Sequence, residues 1–292
     1  MTEEGRFEFA WQAPDGLRLW AQGWRPQGEP RAVVCLVHGG GEHSGRYAHV
    51  AAALTAASYA FLAFDLRGHG RSEGPRGHAP SYEMLLDDLG RFLDEAARRF
   101  PGLPRFLYGH SLGGNLALNY VLRRRPALAG VIVTSPFLRP AFQPPPWKLA
   151  LGRVLYRLWP SFSMSNEVNP QALSRDRGIA RAYTADPLVH NRVAARAGLD
   201  VLQAGCWAID HALEFSLPLL IVHGGADAIA SPEASRRFAE RVPNAVTLRV
   251  WEGLYHEVHN EPERQAVLAF VLGWLQERTA ALSVRGGRSQ DG

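Results

Sequence analysis

The sequence predicts an α/β fold: a mostly parallel central sheet with helices on both faces and an inserted cap. Three observations predict it. Ala32-Val33-Val34-Cys35-Leu36-Val37 is apolar at every position, as a strand buried on both faces must be. Similar short runs alternate with helix-length amphipathic segments, the pattern of crossover-connected parallel strands. The alternation breaks once, over residues 136–216, and then resumes.

In chain order, Phe7-Glu8-Phe9-Ala10-Trp11 and Leu17-Arg18-Leu19-Trp20-Ala21 alternate with period two around Asp15-Gly16, which reads as an antiparallel hairpin. After the 32–37 strand come a helix at 46–57, a strand at 59–64, a helix at 81–100, a strand at 105–108, a helix at 113–125 and a strand at 130–133. The interrupting segment is rich in aromatic residues and arginine and opens on Gln143-Pro144-Pro145-Pro146-Trp147. Strand and helix resume at 218–222, 232–242, 246–251 and 261–278. The division expected is therefore a core of residues 1–135 and 217–280, a cap of residues 136–216, and a frayed tail of residues 281–292.

Composition narrows the function classes. With 46% apolar and 21% charged residues over 292, the chain is neither fibrous nor disordered, and its length fits one large α/β unit or two smaller domains. Lys148 is the only lysine among 32 basic residues, and the arginines are interleaved with acids (Asp94, Glu95, Arg98, Arg99), so no nucleic-acid footprint is expected. Cys35 and Cys206 read as free thiols. The acidic start Met1-Thr2-Glu3-Glu4 does not read as a signal peptide, and no stretch reaches about 18 uncharged apolar residues, so a cytoplasmic location is expected.

Gly109-His110-Ser111-Leu112-Gly113 stands between a predicted strand and a predicted helix, the setting a G-x-S-x-G nucleophile elbow requires. Its bland rival is a glycine-rich turn. A sharp strand-to-helix turn strains Ser111 and leaves no room for side chains two positions to either side, hence the glycines. A serine needs a base, and the base an orienting acid. In a fold with this elbow the acid follows one late strand and the histidine the next. Asp227, after Leu219-Leu220-Ile221-Val222-His223, is the candidate acid, with helix capping as its rival role. His256, after the 246–251 strand, is the candidate base, with His259 three residues on. Asp186, Asp200 and Asp210 lie in the interrupting segment, a poorer place from which to reach the elbow. Two backbone N–H groups must bind the tetrahedral oxyanion, and Leu112 and Gly40 fit. Read as a phosphate loop, His38-Gly39-Gly40-Gly41 lacks the Lys-Ser/Thr ending. No Cys/His cluster points to a metal, and this chemistry requires no cofactor.

Together these residues resemble the α/β-hydrolase superfamily, and more narrowly its monoacylglycerol lipase and lysophospholipase branch. Three strings carry the resemblance: His38-Gly39-Gly40-Gly41-Glu42-His43-Ser44-Gly45-Arg46-Tyr47, Phe64-Asp65-Leu66-Arg67-Gly68-His69-Gly70-Arg71-Ser72, and Tyr255-His256-Glu257-Val258-His259-Asn260-Glu261. Ala182-Tyr183-Thr184-Ala185-Asp186-Pro187-Leu188 has a counterpart in the cap. The resemblance implies the α/β-hydrolase fold and a small lipid ester as substrate, with a glycerol head held by Glu42, Arg46 and His259 and with Tyr183 on the cap side. Glu42 and Arg46, four apart, also suit a structural ion pair. The implied activity is serine hydrolysis of monoacylglycerols. The alternatives are a lysophospholipase, a broad carboxylesterase or a non-catalytic binding protein of the same fold.

Residues 147–159 are apolar with Lys148, Arg153 and Arg157 interspersed. That makeup suits either peripheral membrane contact through the cap or a cap helix packed on its own core.

Overall fold

The computed structural model describes residues 5–143, 145–243 and 246–287. Eight strands form one sheet: β1 (Arg6–Gln12), β2 (Arg18–Trp24), β3 (Ala32–Val37), β4 (Tyr59–Phe64), β5 (Arg105–His110), β6 (Gly130–Thr134), β9 (Leu219–Gly224) and β10 (Val246–Trp251). Two short strands, β7 (Ser163–Ser165) and β8 (Arg192–Ala194), pair separately. The order across the large sheet is β1-β2-β4-β3-β5-β6-β9-β10. β1 and β2 are antiparallel, in register from Arg6 opposite Trp24 to Gln12 opposite Arg18, and β2 runs antiparallel to β4. Every other neighbouring pair is parallel.

The uniformly apolar strands are explained by two cores. Val33, Cys35 and Val37 of β3 face one, and Ala32, Val34 and Leu36 face the other, because successive strand side chains point to opposite faces. Helices α1 (Ala48–Ala56) and α8 (Arg264–Gly287) cover one face with Val50, Leu54, Val271 and Leu275. The other is covered by α2 (Tyr82–Arg99), α3 (Leu112–Arg124), α7 (Pro232–Arg241) and α6 (Ala195–Asp210). Caps define where these helices begin. Ser81 accepts the Met84 N–H at the start of α2, and Ser231, followed by Pro232, accepts that of Ala234 at α7.

Two boundaries differ from expectation. Residues 136–216 hold α4 (Pro146–Leu158), α5 (Arg177–Ala185) and α6. Of these, α6 does not behave as part of an inserted cap, because Ala204, Ala208 and Ile209 sit in the same core as α3 and α7. Two of these three are alanines, so the helix shows little apolar contrast there in the sequence. At Gly205 a Cβ would stand 2.1 Å from the Leu138 carbonyl oxygen, which shows how closely the backbones approach. Second, α8 runs to Gly287, past the expected helix end at 278, so residues 281–287 continue the helix. The rest of the expected tail, 288–292, and the first four residues lie outside the described residues.

Candidate active site

Four loops meet at the carboxyl ends of β3, β5, β9 and β10, where open α/β sheets bind ligands. β5 turns into α3 at Ser111, whose φ of 51° and ψ of −114° are strained for a residue with a side chain. The flanking glycines are sterically required. A Cβ at Gly113 would lie 2.0 Å from the Val37 carbonyl oxygen, and one at Gly109 would lie 2.3 Å from that of Gly113. Ser111 itself is held by donating its N–H to Thr134 O and accepting the N–H of Phe137.

The three residues expected to act together are brought together. Ser111 Oγ lies 2.9 Å from His256 Nε2, and His256 Nδ1 lies 2.7 Å from Asp227 Oδ2. The chain of donors runs from the Ser111 hydroxyl to Nε2 and from the Nδ1 N–H to the carboxylate. Asp227 does not cap α7, since Ser231 has that role; its Oδ1 instead accepts the N–H groups of Ile229 and Ala230. Burial favours a neutral Asp227, but His256 and a hydrogen bond from His223 outweigh it and hold the carboxyl far below its usual range. Burial likewise opposes a charged His256, yet the Asp227 carboxylate prevails and lifts the imidazole above its ordinary value. Asp186 goes elsewhere: it accepts from His43 Nε2 at 2.8 Å and ties residues 136–216 to the loop after β3.

Gly40 stands beside Leu112, where a Cβ would meet Leu112 Cδ2 at 3.6 Å, and both line one cavity with Ser111 and His256. The neighbouring Gly39 N–H is taken by Glu42 Oε1 at 2.7 Å, which pins this loop. The cavity measures about 370 Å³. Its walls are mainly apolar, with Leu112 from α3 and Phe137, Val193, Val201 and Leu202 from residues 136–216.

A family model described as Hydrolase_4, serine aminopeptidase S33, matches residues 28–263. The chain is 36% identical over 277 residues to the monoacylglycerol lipase of Mycolicibacterium smegmatis, a match covering 94% of this chain and 99% of that one. The chain belongs to the monoacylglycerol lipase family of α/β-hydrolases. It is also 43% identical over 258 residues to an uncharacterized abhydrolase domain-containing protein of Dictyostelium discoideum, where the match takes in 87% of this chain and 27% of that one. Among solved structures, Paleococcus ferrophilus monoacylglycerol lipase superposes with a TM-score of 0.82 at 35% identity, covering 89% of this chain and 99% of that one.

The polar end of this hydrolase's cavity carries Glu42, Glu257 and Tyr183. Arg46 and His259, expected to touch a glycerol head, stand behind the wall rather than on it. Arg46 is turned away by charge: its Nη1 reaches Glu42 Oε2 (2.5 Å) and Glu257 Oε1 (2.6 Å), and its Nη2 reaches Glu257 Oε2 (2.7 Å). Tyr183 covers this guanidinium at 4.9 Å. His259 is fully buried, stacked 4.8 Å from Tyr47 and edge-on to His110 at 4.7 Å, and neither ring nitrogen has a partner among the described residues. Burial lowers its pKa well below the ordinary value, so it is neutral. Burial and then the His256 charge likewise bring His110 down to about 4.

Sequence reasoning missed Glu257 and His223. Glu257 is 2% exposed; burial pushes its pKa up, but the Arg46 charge and hydrogen bonds hold it well below the usual range. Its only signal was an acid between two assigned histidines. Glu261, which closes the same string, accepts the Tyr255 N–H at 2.7 Å and pairs with Arg175 at 2.9 Å, clamping the loop that presents His256.

Proposed function

We propose that this hydrolase cleaves monoacylglycerols to glycerol and fatty acid through an acyl-enzyme. The observation that carries the proposal is the unbroken Ser111–His256–Asp227 hydrogen-bond chain at the polar end of an otherwise apolar cavity. Ser111 Oγ attacks the ester carbonyl as its proton passes to His256 Nε2, and the imidazolium is stabilised by the ionised Asp227. The N–H groups of Gly40 and Leu112 receive the oxyanion, where one such donor is worth roughly 3 kcal/mol. His256 then protonates the departing glycerol oxygen, and water activated by the same imidazole releases the fatty acid. No cofactor enters these steps.

Glu42 and Glu257 supply the acceptors for the glycerol head. Glu42 Oε2 and Glu257 Oε1 each take one donor from the same Arg46 Nη1, leaving each a lone pair and holding the two oxygens together as a vicinal diol needs. Arg46 positions both carboxylates, Tyr183 roofs them, and His259 backs the wall. Two carboxylates against one guanidinium leave this end anionic, which favours a neutral polyol over a phosphate leaving group. That speaks against the lysophospholipase alternative. The apolar slot takes the acyl chain under the cap, and the exposed face of α4 meets the lipid surface that holds the substrate.

The test is release of glycerol and fatty acid from a 1-monoacylglycerol chain-length series, beside lysophosphatidylcholine, methyl esters of the same acids and short nitrophenyl esters. Monoacylglycerols should lead in kcat/KM, Ser111→Ala should abolish turnover, and Glu257→Gln should penalise glycerol esters about 10- to 150-fold more than methyl esters, one hydrogen bond to a charged group being worth about 1.5–3 kcal/mol. Turnover of short esters alone would overturn the glycerol assignment.

A further inference from the structure

The acid of the relay answers to a second imidazole. His223, at the end of β9 and fully buried, places Nε2 at 3.1 Å from Asp227 Oδ2, the same oxygen that His256 Nδ1 reaches at 2.7 Å. Its surroundings decide its tautomer. Nε2 also faces the Ala230 carbonyl oxygen at 3.2 Å, so it stands between two acceptors and must carry the proton. Nδ1, 2.8 Å from Ser235 Oγ, then accepts the Ser235 hydroxyl proton. Oδ1 meanwhile takes the Ile229 N–H at 2.8 Å and the Ala230 N–H at 3.0 Å. Four donors therefore fill the four lone-pair positions of one carboxylate. The hydrogen-bonded line runs Ser235, His223, Asp227, His256, Ser111.

We infer that His223 is a positioning residue of the hydrolytic relay, sharing Asp227 Oδ2 with His256 and thereby limiting the basicity of His256. The inference rests on the reading of Ser111, His256 and Asp227 as the catalytic machinery. A donor to Oδ2 draws off charge that would otherwise stabilise the His256 imidazolium, and only neutral His256 can accept the serine proton. Removing that donor leaves Oδ1 anchored by two backbone N–H groups, so the carboxylate stays in place and its charge distribution is what changes. The other titratable groups facing His256 are His110 from the elbow, Glu257 from its own loop and Glu42 from the loop after β3. Unlike Glu42, Glu257 and His110, His223 is not on the cavity wall, so a substitution there acts on the relay through Asp227 and not on substrate binding. Ser235 strengthens the effect, since a proton donated to Nδ1 makes the opposite N–H a better donor.

The experiment is the pH dependence of kcat/KM on p-nitrophenyl butyrate, a soluble ester that makes no demand on the glycerol site, for wild type, His223→Gln, His223→Leu and Ser235→Ala, with Ser111→Ala as blank. In His223→Leu the acid limb should move up by about 0.5–1 pH unit, so kcat/KM at pH 6 falls about three- to tenfold. The low-field proton resonance of His256 Nδ1–H should move further downfield. Glutamine sets an amide N–H where Nε2–H stood and should restore the wild-type profile. Ser235→Ala, which spares the core should the leucine variant not fold, should shift the limb the same way by less. A wild-type acid limb and resonance in both Leu and Ala variants would reduce His223 to a packing residue and overturn the inference, as would a Gln variant shifted as far as Leu. Turnover surviving in Ser111→Ala would instead sink the relay itself, an outcome separable from the others because it appears in the blank.

Discussion

At the scale of single residues the site is governed by how closely backbones approach. Ser111 holds a positive φ because Gly109 and Gly113 let strand, turn and helix touch without a Cβ between them. Gly113→Ala should therefore force a shift of β3 or α3, costing about 1–3 kcal/mol by urea unfolding and lowering kcat on a short ester at least tenfold. Gly273→Ala is the contrast: nothing lies within 4 Å of a Cβ there, and in helix α8 the change should stabilise by about 0.5–1 kcal/mol. The proximity of Ser111, Asp227 and His256, the candidate nucleophile, acid and base, was legible because each sits at a strand end with a type and spacing that chemistry demands. Glu257 was not. Its importance comes from an ion pair with Arg46 across 211 positions of sequence, and no local pattern encodes that distance.

At the scale of elements, α4 is the departure from ordinary burial. Trp147, Leu151, Val154 and Leu158, spaced by four, three and four, are 63, 43, 52 and 80% exposed, so one helical face presents apolar side chains outward. Trp159 and Phe142 extend the patch, and Arg153 and Arg157 are exposed beside it. No helix among the described residues is long and apolar enough to cross a membrane. Trp147→Ser with Leu158→Ser should weaken binding to phosphatidylglycerol-containing vesicles by about 30- to 150-fold, each lost apolar side chain being worth roughly 1–1.5 kcal/mol at an interface. Hydrolysis of a soluble ester should be spared, and equal loss on soluble and vesicle substrates would sink this role for the face. The 3.6-residue period of α4 was visible in sequence, but which way the stripe points was not, because a cap helix packed inward has the same pattern.

At the scale of the whole molecule, the strand order brings four loops from distant parts of the chain to one edge, and with them buried titratable groups whose charges must agree. His110 is held at about 4, below the ordinary histidine value, so the folded state keeps it neutral while the unfolded chain takes up a proton as pH falls below about 6.5. Its stabilising share is complete above that value and is lost as pH falls toward 4, an effect on the order of 3 kcal/mol. Asp227 and Glu257, depressed as carboxylates, stabilise fully above about pH 4 and lose that contribution at more acid pH. His256 runs oppositely: raised in the fold, its stabilisation is present below its unfolded value and lost as pH rises through its folded one. The melting temperature should therefore fall progressively between pH 7 and pH 4, and His110→Asn should flatten the upper part of that fall in a calorimetric series.

The sequence by itself determined the sheet, because strands buried on both faces must be apolar throughout and crossover helices must be amphipathic. It also singled out Ser111, Asp227 and His256 as the candidate nucleophile, acid and base, which the fold brings within hydrogen-bond reach, because a strained elbow needs glycines and acyl transfer needs those groups after particular strands. The tertiary structure alone decided that α6 belongs with the core helices, since contacts built from alanine and glycine leave little periodic contrast. It alone decided that Arg46 faces Glu42 and Glu257 from behind the cavity wall, because a guanidinium settles where two carboxylates converge. It alone put His223 on the same oxygen as His256, since a hydrogen bond depends on where atoms meet and not on the order in which residues are joined.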